Sequence, residues 1–164
     1  MAFCLLLVGQ YNRRDNLLLT GSLRDNILLG RDDVDDEEMI RAAKAALAHD
    51  FIATMPNGYD VQLADRGEGL SGGQRQAIAM ARALVGRPPI LVFDEPTSAV
   101  DSETEARLMT NLRQEFEGRT LIVITHRPSL LNLVNRVILL SRGRIAMDGT
   151  PDSITRNVAR IRAR

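Results

Sequence analysis

Two short apolar runs constrain the fold of this chain more than any other feature. "ILVFD" (90–94) and "TLIVIT" (120–125) are continuous apolar runs, and "SETEARLMTNLRQEF" between them has a helical pattern. Runs of this length without polar alternation are typical of strands buried in a parallel sheet. Ser102 and Glu105 have the spacing of a capping box at the start of the helix. Strand, helix and strand in this order predict an α/β architecture, and "RVILLSRGRIAMDG" predicts two further strands joined by a tight turn at 141–143.

The region before these strands is predicted to be mainly helical. Asp35 and Glu38 have capping-box spacing, and the apolar residues that follow at helical spacing are Met39, Ala42, Ala43, Ala46 and Leu47. A second helix is expected from near Ser71 to about Val85. The acidic run 32–38 lacks the spacing and glycine of an EF-hand. We therefore interpret it as a solvated helix start rather than a metal site.

Bulk composition excludes several classes of protein. The 164 residues carry a formal net charge of zero, which argues against nonspecific nucleic-acid binding. Cys4 is the single cysteine, so no internal disulfide can form. No apolar run approaches the roughly 20 residues that a membrane helix needs. "MAFCLLLVG" at the start lacks the basic region of a secretory signal, so a buried strand or a leader is expected there.

A serine and two glycines precede the second predicted helix. Ser71, Gly72 and Gly73 allow backbone N–H groups to approach a ligand closely. The positive end of the helix dipole favours an anion such as a phosphate at this point. The alternative is that these residues form only a helix cap.

Two acidic residues follow the first apolar run. Asp94 is placed at the carboxyl edge of a sheet, where ligands of α/β proteins bind, and its carboxylate can hold Mg²⁺. Glu95 beside it can orient and deprotonate a water. The alternative for Asp94 alone is a turn residue, but two adjacent acids after a buried strand favour chemistry.

One histidine follows the second apolar run. His126 is expected on the same sheet edge as Asp94, from where it could contact a γ-phosphate; the alternative is a structural histidine at a strand end. The other histidine, His49, is interpreted as lying within a helix and is given no chemical role.

The order of these motifs resembles the ATP-binding cassette (ABC) family. "LSGGQ", a strand with "DE", "SAVD" and a strand with His follow one another from about Asn16 to Ile154. The resemblance implies a partial ABC-type P-loop NTPase domain, made of a helical subdomain and the C-terminal part of the RecA-like core. It also implies ATP and Mg²⁺ as cofactors. The implied site residues are the signature motif Ser71, Gly72, Gly73 and Gln74, the magnesium ligand Asp94, the catalytic Glu95, the D-loop Asp101 and the switch residue His126.

The sequence around the signature is most similar to exporters. "GSLRDNILLG" and "DRGEGLSGGQRQ" resemble nucleotide-binding domains fused to transmembrane helices, and "THRPSLLNLVNRVILL" resembles bacterial type I secretion exporters. The resemblance implies that residues 62–67 touch a transmembrane domain. It also implies a second ABC domain as dimer partner and a place on the cytoplasmic face of the bacterial inner membrane. The domains predicted are a non-family leader (1–14), the end of the Q-loop region with the helical subdomain (15–87) and part of the core (88–164).

The family's P-loop motif, G-x-x-x-x-G-K-[ST], has no match in the chain. Lys44 is the only lysine, and it lies in a predicted helix. Arg14 stands where the family has the Q-loop glutamine, although Tyr11 matches exporters; Gln10 is displaced by four positions. We therefore expect residues 1–14 to be non-family sequence. We also expect the strands 90–94 and 121–125 to lose neighbours and expose apolar edges.

These features predict a C-terminal portion of an exporter's ATP-hydrolysing domain. The resemblance implies that each ATP lies between the P-loop of one ABC domain and the signature motif of another. Because this chain has no P-loop motif, it would supply only the signature side of such a site, and the chain alone is expected not to hydrolyse ATP. The alternative is a non-catalytic remnant or interaction subunit that needs an intact partner. A DNA-repair or chromosome-organising ATPase would carry long coiled coils next to the signature. The chain has no sustained heptads and zero net charge, so no nucleic-acid partner is predicted.

Overall fold

The computed structural model describes residues 2–8, as backbone, and residues 18–162. These residues form two compact units. Residues 2–8, 89–96 and 116–162 form a sheet unit, and residues 18–88 and 97–115 form a helical unit. The α/β architecture with an added helical portion is therefore observed. The expectations for Gln10, Tyr11 and Arg14, and half of the leader, lie outside the described residues.

The sheet unit contains a five-stranded, mainly parallel sheet. Its strands are β1 (Ala2–Val8), β4 (Ile90–Asp94), β5 (Thr120–Ile124), β6 (Arg136–Ser141) and β7 (Arg144–Gly149). The spatial order is β4-β5-β1-β6-β7, and only the β6–β7 pair is antiparallel. In the β4–β5 pair Ile90 lies opposite Thr120 and Asp94 opposite Ile124. The ends of these two strands are therefore level with each other.

Strand β4 is an edge strand, and this corrects the prediction of a fully buried one. Leu91 and Phe93 are buried, whereas Ile90 and Val92 are 59% and 58% exposed. Because successive side chains of a strand point to opposite faces, one face of β4 is covered and the other is solvated. The expected apolar edge is present at β4. It is absent at β5, which pairs with β4 on one side and β1 on the other.

The predicted strand pair near the C-terminus is confirmed. Strands β6 and β7 form a hairpin in which Arg142 and Gly143 have positive φ values of 50° and 72°. Two successive positive φ values match the twist of a two-residue hairpin. Helix α6 (Pro151–Arg162) packs on this hairpin and buries Ile154.

The helical unit contains α1 (Leu23–Leu28), α2 (Asp36–Ala45), α3 (His49–Ala53), α4 (Gly72–Leu84) and α5 (Ser102–Glu115). A two-stranded ribbon, β2 (Gly21–Ser22) and β3 (Gln62–Leu63), and 3₁₀ turns at Gly58–Asp60 and Asp65–Gly67 connect them. Helix α4 packs against α1 and α2. The apolar residues buried in this unit include Leu23, Ile27, Met39, Ala42, Ile52, Ile78, Ala81 and Leu84.

Two local predictions for the helices need correction. Asp35 caps α2, because its carboxylate accepts from the Glu38 N–H at 2.9 Å. The Glu38 side chain does not complete a capping box; it pairs with Arg41 at 2.6 and 2.7 Å and accepts from the Gly86 N–H at 3.0 Å. The helix also ends before Leu47, whose φ is 58°, so His49 begins a new helix rather than lying inside one.

Candidate functional site

The sheet unit brings Glu95 and His126 together at the carboxyl ends of two neighbouring strands. Glu95 directly follows β4, and His126 follows β5 by two residues. His126 Nδ1 lies 2.7 Å from Glu95 Oε1. Since an ionised carboxylate only accepts hydrogen bonds, the imidazole nitrogen donates in this contact. The histidine side chain is 70% exposed and the glutamate side chain 30%, so the pair faces solvent.

The backbone holds Glu95 in an unusual conformation. Its φ is 48°, in the left-handed region that residues other than glycine seldom adopt. Its N–H donates to the Ile124 carbonyl at 2.8 Å, which fixes the residue to the end of β5. Strained backbone of this kind is concentrated at functional sites, where the surrounding structure enforces it.

Thr125, which was not predicted as a site residue, completes this arrangement. Thr125 is 1% exposed. Its hydroxyl donates to Glu95 Oε2 at 3.4 Å and accepts from the Arg127 N–H at 3.0 Å. The buried hydroxyl therefore holds the carboxylate from one side while His126 contacts the other oxygen. The signal in the sequence was a polar residue at the end of an otherwise apolar run.

Asp94 lies at the last position of β4 and is exposed. Among the described side chains of residues 18–160, no three His, Cys, Asp or Glu residues converge on a common metal position. Mg²⁺ in nucleotide sites is commonly held by one or two carboxylates together with phosphates and waters. A single exposed carboxylate at the sheet edge fits that chemistry, and Asp94 is the residue that would hold the ion.

In the helical unit, Ser71 and Gln74 form a complete capping box at the start of α4. Ser71 Oγ accepts from the Gln74 N–H at 3.1 Å, and Gln74 Oε1 accepts from the Ser71 N–H at 2.8 Å. Both side chains therefore satisfy backbone groups of the helix start. The helix cap that was the alternative interpretation of Ser71, Gly72 and Gly73 is therefore present. A cap does not exclude anion binding, since other N–H groups of the first turn have no acceptor within the helix.

Gly73 packs tightly against the loop 98–101, whereas Gly72 is in ordinary contact with it. A Cβ atom on Gly73 would lie 3.3 Å from the Ala99 carbonyl oxygen and 3.6 Å from Val100 Cγ1. A Cβ atom on Gly72 would lie 3.6 Å from Ala99 Cβ. The start of α4 thus lies directly against the loop 98–101.

Asp101 caps helix α5, which corrects the predicted capping box at Ser102 and Glu105. Asp101 Oδ1 accepts from the Thr104 N–H at 2.8 Å, and Oδ2 accepts from the Thr104 hydroxyl at 2.9 Å. These two hydrogen bonds lower the pKa of the Asp101 carboxyl below its ordinary value. Ser102 is instead the first residue of the helix. Adjacent Asp and Ser residues can both cap, and the cap belongs to the one that precedes the first helical turn.

The predicted site residues are divided between the two units. Asp94, Glu95 and His126 belong to the sheet unit; the signature residues Ser71, Gly72, Gly73 and Gln74, together with Asp101, belong to the helical unit. The segment 62–67 forms β3 and a 3₁₀ turn. None of the helices within residues 18–162 combines the length and apolar character needed to cross a bilayer.

The chain resembles known proteins over most of its length. It is 47% identical over 144 residues to the exotoxin translocation ATP-binding protein PaxB of Pasteurella aerogenes, an alignment that covers 88% of this chain and 20% of that protein. It is 48% identical over 136 residues to the toxin RTX-I translocation ATP-binding protein of Actinobacillus pleuropneumoniae, which covers 83% of this chain and 19% of that protein. The leukotoxin translocation ATP-binding protein LktB of Mannheimia haemolytica is 46% identical over 144 residues, with 88% and 20% covered. The chain thus spans about a fifth of these curated relatives.

The fold also matches a solved structure. A bacterial Atm1-family ABC exporter with ATP bound has a TM-score of 0.81 and 39% identity, over 94% of this chain and 26% of that one. The predicted fold class and the predicted resemblance to ABC exporters are confirmed. The sequence model for ABC transporters matches residues 7–98, and the predicted boundary of the leader at residue 14 stays a prediction. Because this match covers more than half of the sequence, the chain belongs to the ABC transporter family.

Proposed function

We propose that this chain is part of the ATP-hydrolysing domain of an ABC exporter and presents the signature side of a composite ATP site. The observation that carries the ATP-hydrolysing part is the Glu95–His126 pair, 2.7 Å apart where two neighbouring parallel strands end. The capping box of Ser71 and Gln74 at the start of α4 supports the signature side. The names of its relatives, which are translocation ATP-binding proteins for toxins, support a role in export. Type I secretion of a protein is the transport process that we propose for the parent molecule.

Glu95 and His126 are proposed to act on the water that attacks the terminal phosphate. The Glu95 carboxylate accepts a proton from a bound water, and the imidazole of His126 holds the carboxylate in place through Nδ1. The Thr125 hydroxyl fixes the second carboxylate oxygen. Asp94 would hold Mg²⁺, which would supply positive charge opposite the phosphates of a bound ATP.

The signature residues are proposed to contact ATP held by another ABC domain. The capping box fixes Ser71 and Gln74 at the helix start, where the backbone favours an anion. Gly72 and Gly73 leave this surface open to a phosphate. The D-loop Asp101 is proposed to lie in the same interface.

The chain alone is proposed not to turn over ATP. Lys44 is the only lysine in the sequence and no G-x-x-x-x-G-K-[ST] motif is present. A phosphate-gripping loop with its lysine must therefore come from elsewhere for Glu95 to have a substrate. A non-catalytic interaction subunit remains the second candidate, and the absent motif favours it for the isolated chain.

The proposed partners follow from the family. They are a second ABC domain and the transmembrane domain of an exporter, which residues 62–67 would contact at the cytoplasmic face of the bacterial inner membrane. The division into residues 1–14, 15–87 and 88–164 is likewise proposed. No nucleic-acid partner is proposed, given the zero net charge.

An association experiment tests the proposal. The purified chain is mixed with an intact ABC domain that has its own P-loop and is locked against hydrolysis, with and without ATP, and binding is followed by fluorescence anisotropy. We expect binding only with ATP, weakened at least about tenfold by Ser71→Arg, which blocks the helix start. Gln114→Met, at an exposed position on α5, is the control and should bind as the wild type does. Binding that ignores ATP or Ser71 would refute the signature-side role.

Turnover by the isolated chain is measured in parallel. We expect no phosphate release above the buffer blank. Release that disappears in Glu95→Gln would show that the chain is a complete enzyme and would overturn the proposed inactivity.

A further inference from the structure

The loop 98–101 is tied to helix α4 by a buried side chain that the sequence analysis left without a role. Gln76 is 6% exposed and lies in the second turn of α4. Its Oε1 accepts from the Ala99 N–H at 3.2 Å, and its Nε2 donates to Ser98 Oγ at 3.3 Å. One amide side chain therefore contacts the backbone and the side chain of two consecutive loop residues.

Packing reinforces these hydrogen bonds. Gly72 and Gly73 place their Cα atoms so close to the loop that an added Cβ would lie 3.3–3.6 Å from Ala99 and Val100. The last residue of the loop, Asp101, caps α5 with its carboxylate. The loop is thus fixed at both ends and in the middle, and each attachment is within the helical unit.

The two segments joined by Gln76 are the ones proposed to meet the partner domain. Ser71 at the start of α4 is exposed and residues 72–74 are half-buried, and Ser98 and Ala99 are exposed. We infer that Gln76 is a positioning residue, which holds the loop 98–101 against the signature motif so that both dock on the ATP-loaded partner as one surface. This inference rests on the proposed function. Its chemistry is specific, because a buried amide offers the acceptor for Ala99 and the donor for Ser98 simultaneously.

Hydrogen exchange of the isolated chain tests the positioning itself. Gln76→Met keeps the length and apolar volume of the side chain but removes both hydrogen bonds. We expect the Ala99 amide, followed by NMR, to exchange at least about tenfold faster in this variant, while amides in the middle of α2 keep their rates. Gln76→Glu keeps an acceptor for Ala99 and should restore protection. Gln114→Met, an exposed position on α5, is the control and should change nothing. Unchanged exchange at Ala99 in Gln76→Met would overturn the inference.

Association with the ATP-loaded ABC domain tests the consequence. We expect Gln76→Met to weaken binding at least about fivefold and Gln76→Glu to recover most of the affinity. The comparison is made between variants whose melting temperatures are equal, so that a difference in stability does not explain the difference in binding. A merely structural role would not give this rescue. Wild-type affinity in Gln76→Met would overturn the inference and leave the proposed function intact. No binding by the wild type would overturn the proposed function, and the docking half of this inference with it.

Discussion

The side chain of Asn26 is predicted to be a main source of stability in the helical unit. Asn26 is 1% exposed, so its amide is removed from water. Its Oδ1 accepts from the Leu19 N–H at 2.8 Å and from Arg82 Nη2 at 3.0 Å. Its Nδ2 donates to the carbonyls of Leu19 at 2.8 Å and Ser22 at 3.0 Å. The amide therefore joins the segment before α1 to helix α4.

The cost of Asn26→Ala follows from these contacts. A neutral hydrogen bond contributes about 1 kcal/mol net, and one from a charged group about 1.5–3 kcal/mol. Three neutral bonds and one from Arg82 give a sum of about 4.5–6 kcal/mol. Leu19 is 49% exposed, so water can replace its two bonds in the variant. We therefore expect a loss of about 3 kcal/mol, which is a large part of the total stability of a domain.

Urea denaturation measures this loss. With a slope of about 2 kcal/mol per molar, the midpoint should fall by about 1.5 M without a change in slope. Asn26→Asp is the matched control. It keeps the acceptor for Leu19 and Arg82 but loses the donor, so it should cost about half as much as the alanine variant. A loss below about 1 kcal/mol in Asn26→Ala would refute the reasoning.

Three further predictions concern other described side chains. The pKa of Glu38 is lowered first by its hydrogen bonds with Arg41 and then by the Gly86 N–H and the charge of Arg87. Its contribution is thus fully present above the unfolded pKa of about 4.3, and it is lost as pH falls from there through the lower pKa of the folded protein. Glu38→Gln should lower the free energy of unfolding by about 1–2 kcal/mol at neutral pH. The urea midpoint of the variant should also depend less on pH between about pH 5 and 3 than that of the wild type; parallel pH profiles of the two proteins would contradict this. Burial raises the pKa of Tyr59 to about 12. The contribution of Tyr59 to the free energy of unfolding should then be constant below the unfolded pKa of about 10 and fall between about pH 10 and 12. The fall is at most about 2.7 kcal/mol, because the ring is only partly buried. Tyr59→Phe should remove this slope, and tyrosinate absorbance that titrates near pH 10 would disprove the shift. The Thr97 hydroxyl is fully buried and has no hydrogen-bond partner among the described residues. Thr97→Val should therefore raise the free energy of unfolding by about 1 kcal/mol, while Thr97→Ser should lower it; a less stable valine variant would reveal a hidden partner.

The sequence predicted the strands that carry the site because the apolar runs are short and bounded. Strand β4 was expected at its observed bounds, and Glu95 and His126 were expected at one sheet edge. Neighbouring parallel strands end at the same edge of a sheet. Two residues that directly follow such strands in the sequence can therefore be predicted to lie close together. The exposure of Ile90 and Val92 could not be read from the run itself, because a strand covered on one face and a strand covered on both faces can have the same apolar composition.

Capping and long-range contacts were predicted less well. Asp101 and Ser102 are both good caps, and local sequence does not decide which one precedes the first turn. Glu38 had the spacing of a capping box, but Arg41 and the Gly86 N–H compete for its carboxylate. Gln76 and Thr125 escaped notice because their partners lie 22 and 30 residues away in the chain. Only the folded unit brings such pairs together.

The capping role of Asp101 changes how mutations in this loop are to be interpreted. An alanine at this position removes a negative charge from the surface and, at the same time, releases the first turn of α5. Weak assembly of such a variant would therefore mix a lost intermolecular contact with a frayed helix. Serine at the same position keeps an acceptor for the Thr104 N–H without the charge. Comparing the two substitutions separates what the residue does for its own helix from what it does for a neighbouring molecule.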